Sequence, residues 1–119
     1  MSDLRKDGPA FGFAVVRGRS MEPTLFEGDR LLIRYAAEPR PGQLVVVRLP
    51  DRPVAVKRAG RRTPEGWWVE RDNPREGVDS WLVGAIPEDD VVARVVARVW
   101  PWRWLRRLER LWRRVRPGA

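Results

Sequence analysis

The stretch L-V-V-V-R-L-P-D-R-P-V-A-V-K-R-A, residues 44–59, sets two short valine-rich runs on either side of P-D-R-P. Proline and aspartate at 50–53 carry turn chemistry, so the flanking runs, 44–49 and 54–59, read as two strands. Similar runs occur at 11–16, 31–35, 67–70 and 91–99, with P-R-P-G at 39–42 and P-E-G at 64–66 as further turns. Strands at this spacing predict a mostly β domain, built as a sheet or a small barrel.

Lys57 stands out within the second run. It is one of two lysines, with Lys6, among 24 basic side chains. A guanidinium keeps its proton in a protein, whereas an ammonium desolvated by apolar neighbours can lose it and act as a base. On a strand, Lys57 shares its face with Ala55 and Ala59, while Val54, Val56 and Arg58 point the other way.

Composition narrows the chemistry further. The chain has 119 residues, no cysteine and no histidine, which excludes disulfides, thiol nucleophiles, thiolate or imidazole metal sites and imidazole-based triads. The acidic residues follow no calcium-loop spacing, so neither a metal nor a cofactor is expected. Side-chain hydroxyls are confined to Ser2, Ser20, Ser80, Thr24, Thr63 and Tyr35. Ser20 is the best-placed nucleophile among them, with Ser80 second.

The segment R-G-R-S-M-E-P-T-L-F-E-G-D, residues 17–29, follows the first strand. Gly18 permits a left-handed backbone and Pro23 fixes φ soon after Ser20, so the serine sits where a strand runs into a constrained turn. Such a turn presents a hydroxyl and leaves backbone N–H groups free for an oxyanion. A neutral Lys57 amine within hydrogen-bonding reach of Ser20 would complete a serine–lysine dyad. A turn serine capping its own backbone, beside a surface lysine, is the plain alternative.

Charge is unevenly spread. The net charge is +8, but residues 1–99 contribute only +2 and residues 100–119 contribute +6, from seven arginines against Glu109. A nucleic-acid partner is therefore not expected from the overall basicity. In the tail, Trp104, Leu105, Leu108, Leu111, Trp112 and Val115 form one helical stripe with arginines opposite. This predicts a C-terminal amphipathic helix, with two partners left open: an anionic membrane surface reached through Trp104, Leu108, Leu111 and Trp112, or the β domain or another protein. No run approaches the roughly 20 apolar residues of a membrane span, and the N-terminus has no secretory pattern. The expected location is cytoplasmic, peripheral at the inner membrane face if the tail binds lipid.

The blocks S-M-E-P-T-L at 20–25, G-D-R-L-L-I-R-Y at 28–35, P-G-Q-L-V-V-V at 41–47, V-K-R-A-G at 56–60 and D-N-P-R-E-G-V-D-S-W-L-V-G-A-I-P-E at 72–88 together resemble the signal peptidase I family. The resemblance implies a small β-barrel domain of the signal-peptidase or LexA-like kind at 11–99, between a mobile tail at 1–10 and the helix at 100–119. It implies Ser20 as nucleophile, Lys57 as general base, the Ser20 N–H in the oxyanion hole near Gly18, and Met21 at the floor of a pocket for an extended protein substrate. Asp72, Asn73 and Asp79 would be scaffold acceptors, and Ser80 a structural hydroxyl. Three positions depart from the usual pattern. Gly18 stands where an oxyanion-hole hydroxyl is common, Gly77 where a lysine-orienting serine is common, and Trp81 where an arginine commonly pairs with the aspartate.

The short length, the G-x-S-M-x-P-T-L box and G-W-W-V before D-N-P look like a soluble subgroup that matures nickel-type superoxide dismutase. This implies removal of an N-terminal leader from the dismutase precursor, with nickel belonging to the substrate. A catalytically weak or inactive peptide-binding module, attached to a membrane by the tail, is the alternative. A repressor-type self-cleaving domain is a third reading, and would need a DNA-binding domain ahead of residue 11.

Overall fold

Leu44–Arg48 lies at the heart of a six-stranded sheet, and its unbroken valines are explained by burial on both faces. A computed structural model describes residues 10–100. The strands are β1 (Phe11–Val15), β2 (Arg30–Tyr35), β3 (Leu44–Arg48), β4 (Val54–Thr63), β5 (Gly66–Glu70) and β6 (Val91–Trp100). A one-turn helix, α1 (Ser80–Val83), and a 3-10 turn at Glu88–Asp90 lie between β5 and β6. The sheet order is β1-β2-β6-β3-β4-β5, with every pairing antiparallel.

The mostly β expectation holds, and the sheet is open, ending on β1 and β5. All six expected strands form. β4 runs on to Thr63, past a register shift between Ala59 and Arg61, to make a hairpin with β5. Gly60 and the polar residues at 61–63 hid that extension, because a hairpin arm needs only one buried face. β6 includes Trp100. The helix expected for the tail, with the residues assigned to a membrane surface (Trp104, Leu108, Leu111 and Trp112), lies outside the described residues, as does most of the segment 1–10.

Strand alternation divides the core in two. Val46 and Val56 join Val16, Met21, Leu25, Leu31, Ile33 and Ala93 in one buried cluster. Val45 and Val47 join Leu49, Ala59, Trp67, Val69, Ile86 and Val91 in the other. Full burial of each such aliphatic side chain stabilises by about 1.5–3 kcal/mol. The turn after β1 supplies Met21 and Leu25 to the first cluster, and the segment after β5 supplies Ile86, Val78 and Val83 to the second. These two covering segments also carry Ser20, Arg71 and Asp79, the polar groups that act on Lys57.

The outer edge of β5 is closed by the same covering segment. Ile86 exchanges backbone hydrogen bonds with Trp67 at 2.8 and 2.7 Å. Val69 N–H donates to Ser80 Oγ at 2.8 Å, and Arg71 N–H donates to Asp79 Oδ2 at 3.0 Å. Alternate N–H groups along the edge are thereby satisfied, which removes it as a template for another strand. By contrast, the β4–β5 register begins at Arg58–Glu70, so Val54–Lys57 pair only with β3.

Candidate active site

β1 delivers the chain to Ser20. Val16 N–H donates to Asp29 O at 2.8 Å and Gly28 N–H to Val16 O at 2.9 Å, closing residues 17–27 into a loop. Asp29 is 4% exposed; its carboxylate accepts from Phe26 N–H at 2.9 Å and from Arg98 at 3.3 Å. Gly18 has φ +75, the left-handed conformation its sequence position suggested. A Cβ there would meet nothing within 4 Å.

Lys57 meets Ser20 directly. Its Nζ donates to Ser20 Oγ at 2.7 Å, and the lysine is only 2% exposed. Burial pushes the amine below its ordinary range; Asp79 works against that shift, and the positive charge of Arg71 reinforces it. The apolar setting is deeper than two alanines would make, since Val45, fully buried, is the cross-strand partner of Lys57. Among the described residues, nothing accepts the Ser20 backbone N–H.

A loop from Arg71 to Asp79 clamps the Ser20 turn. Asn73 N–H donates to Ser20 O at 2.8 Å, and Asn73 Nδ2 donates to Arg19 O at 2.8 Å. Asp72 accepts two bonds from Arg58, at 2.9 and 2.6 Å, and one from Thr24 Oγ1 at 2.5 Å. The Arg58 bonds hold the Asp72 carboxyl below its ordinary range. Arg58 adjoins Lys57 on β4, so Asp72 ties the lysine-bearing strand to the turn that bears the serine.

Gly77 explains the missing serine. It has φ +110, and a Cβ on it would fall 2.3 Å from Ser20 Cβ. The position is filled by the backbone pressed against Ser20, and the space a serine side chain would need is taken. Trp81 likewise turns elsewhere: it is 74% exposed, donates through Nε1 to Glu70 at 3.0 Å and packs edge-on against Trp68 at 5.2 Å. The arginine beside Asp79 is Arg71, whose guanidinium lies 3.9 Å from Asp79 Oδ1.

The sequence matches the family model described as Peptidase S24-like over residues 2–98. The chain belongs to the Peptidase S24-like family. No curated protein matches it. Membership accords with the signal-peptidase-like motifs and gives the chain a serine peptidase-type fold.

Within this Peptidase S24-like domain, Ser20, Lys57, Asp72, Asn73 and Asp79 gather around one site, while Ser80 serves the β5 edge. Asp72 and Asp79 are acceptors, as expected; Asp79 also caps α1 by accepting from Trp81 N–H at 3.1 Å. Asn73 is an acceptor too, its Oδ1 taking the Arg75 N–H at 3.0 Å, and it also donates to the serine turn. Ser80 is 1% exposed and serves the sheet edge through Val69. Met21, at 2% exposed, packs in the first core cluster and anchors the turn from within. Sequence reading gave no role to Arg71, Arg58 or Thr24. Arg58 follows the lysine and Thr24 lies in the S-M-E-P-T-L block, yet which carboxylate they share depends on loop closure across 48 residues.

Proposed function

We propose that this chain is a serine endopeptidase in which Ser20 attacks and Lys57 is the general base, removing an N-terminal leader from a protein precursor. The 2.7 Å contact between Lys57 Nζ and Ser20 Oγ, made by a buried lysine, carries this reading. The neutral amine takes the hydroxyl proton as Oγ adds to the scissile carbonyl. The Ser20 N–H donates to the oxyanion of the tetrahedral intermediate. Lys57 then returns its proton to the leaving amine, freeing the C-terminal product and leaving an acyl-serine. In the second half, Lys57 deprotonates water as it attacks the acyl carbonyl; the C–Oγ bond then breaks, Lys57 returns the proton to Ser20 Oγ, and the N-terminal product leaves with a new carboxyl end.

The free edge at Val54–Lys57 supports an extended substrate, because a peptide added there would run up to the amine while β5 is already covered. The motif blocks at 20–25 and 66–74 favour the nickel superoxide dismutase precursor. Incubation with that precursor, read by mass spectrometry, should yield one new N-terminus with the wild type and none with Ser20→Ala. Equal cleavage by Ser20→Ala would reject Ser20 as the nucleophile. Gly18, which offers no side-chain donor to an oxyanion, favours a second reading as a peptide-binding module. Binding of the leader without any new N-terminus would select it.

A further inference from the structure

Arg71 gathers the site loop with an unusual economy of contacts. Its Nε donates to Asn73 O at 2.9 Å, one terminal nitrogen to Gly77 O at 3.0 Å and the other to Pro74 O at 3.1 Å. Its own N–H donates to Asp79 Oδ2. One planar guanidinium therefore fixes three carbonyls of residues 73–77. Both ends of that stretch touch the nucleophile's turn: Asn73 bonds Arg19 O and Ser20 O, and Gly77 backs onto Ser20 Cβ.

We propose that Arg71 is the positioning residue of the site, seating residues 73–77 against Ser20 while its guanidinium, 3.9 Å from Asp79, draws that carboxylate's charge away from the Lys57 amine. The proposal rests on Ser20 and Lys57 being the reacting pair. It assigns to Arg71 two tasks that usually fall to other positions: partnering the aspartate, where Trp81 cannot, and holding the pair in line, where Gly77 has no side chain. Among the described residues, two charged groups act on the amine. Asp79, at the start of α1, favours the protonated form, and Arg71, just past β5, opposes it. Arg58 on β4 is bound to Asp72, β3 presents Val45, and the Ser20 turn presents a hydroxyl. Since Asp79 sits beside both cations, Arg71 also competes with Lys57 for its negative charge.

The two lysines make a direct test practical. In a Lys6→Arg chain grown with 13Cε-lysine, Lys57 is the sole labelled side chain, and its NMR titration needs no substrate. Arg71→Gln should move the Lys57 midpoint upward, and Arg71→Lys, which keeps the charge, should leave it near that of the parent. Arg71→Lys should nevertheless cleave the dismutase precursor more slowly, on the order of 10²-fold, because a lysine cannot hold three carbonyls in one plane. An unmoved midpoint in folded Arg71→Gln, or wild-type cleavage by Arg71→Lys, would overturn the proposal; a purely structural role would lower the melting temperature of Arg71→Gln and leave the midpoint in place. Should Arg71→Gln not fold, Arg71→Lys decides alone through its cleavage rate. Full activity in Ser20→Ala would instead strike the peptidase reading, with the titration result standing apart from it.

Discussion

Gly77 and Ser20 are packed so closely that a Cβ on the glycine would lie 2.3 Å from the Cβ of the serine. The glycine's φ of +110 is itself one that side chains rarely adopt. Both facts oppose any residue larger than glycine, including the serine usual in signal-peptidase-like sequences.

Gly77→Ser should therefore impair this protein. Backbone strain and displacement of the Ser20 turn should together cost about 2–3 kcal/mol in urea unfolding. Shifting Ser20 by a fraction of an ångström to 1 Å should lower kcat/KM on the order of 10²-fold. A stable Gly77→Ser variant that cleaves faster than wild type would show that the glycine is a defect and not a fitted part.

Asp72→Asn should loosen the link between β4 and the serine turn. Arg58 and Thr24 both bond this carboxylate, and with Arg58 partly exposed the loss should be about 1–2 kcal/mol. Because Asp72 is held below its ordinary value of 3.8 in the fold, its contribution is present above that value and is lost as pH falls through the folded one. Thermal melts should show a constant gap between wild type and Asp72→Asn near neutral pH, closing in strong acid. A gap that persists in acid would place the stabilisation elsewhere.

The strands were readable because each is a short apolar run near proline or glycine, and β3 shows its double burial as three consecutive valines. Ser20 and Lys57 were readable for chemical reasons: a chain without cysteine or histidine has few nucleophiles and one candidate base on a strand. The clamp was not. Arg71, Arg58 and Thr24 act through bonds to carbonyls and a carboxylate on distant loops, and arginine is too common in this chain to mark any single one. The Gly77 departure was visible, but its cause lies in a backbone contact that no side-chain pattern encodes.

Lys57→Met should raise stability while removing activity. A buried amine held below its ordinary value of 10.5 binds fewer protons in the fold than in the unfolded chain between those two values. Wild-type stability should thus rise with pH across that window. Methionine has no such dependence, so its advantage should be greatest near neutral pH and shrink as pH approaches 10.5. A gain on the order of 1 kcal/mol would appear as about 4–8 °C in Tm. A lower Tm for Lys57→Met at neutral pH would mean that the Ser20 contact outweighs the cost of burying the amine.

Lys57→Arg isolates the proton-transfer role, because it preserves a cation at the end of a long side chain and removes only the ability to be neutral. Precursor cleavage by this variant, followed from about pH 6 to about pH 10, should stay roughly 10²–10⁴-fold below wild type throughout, while wild-type cleavage climbs as Lys57 loses its proton. Cleavage by Lys57→Arg within about tenfold of wild type would contradict the pairing of Lys57 with Ser20 as base and nucleophile.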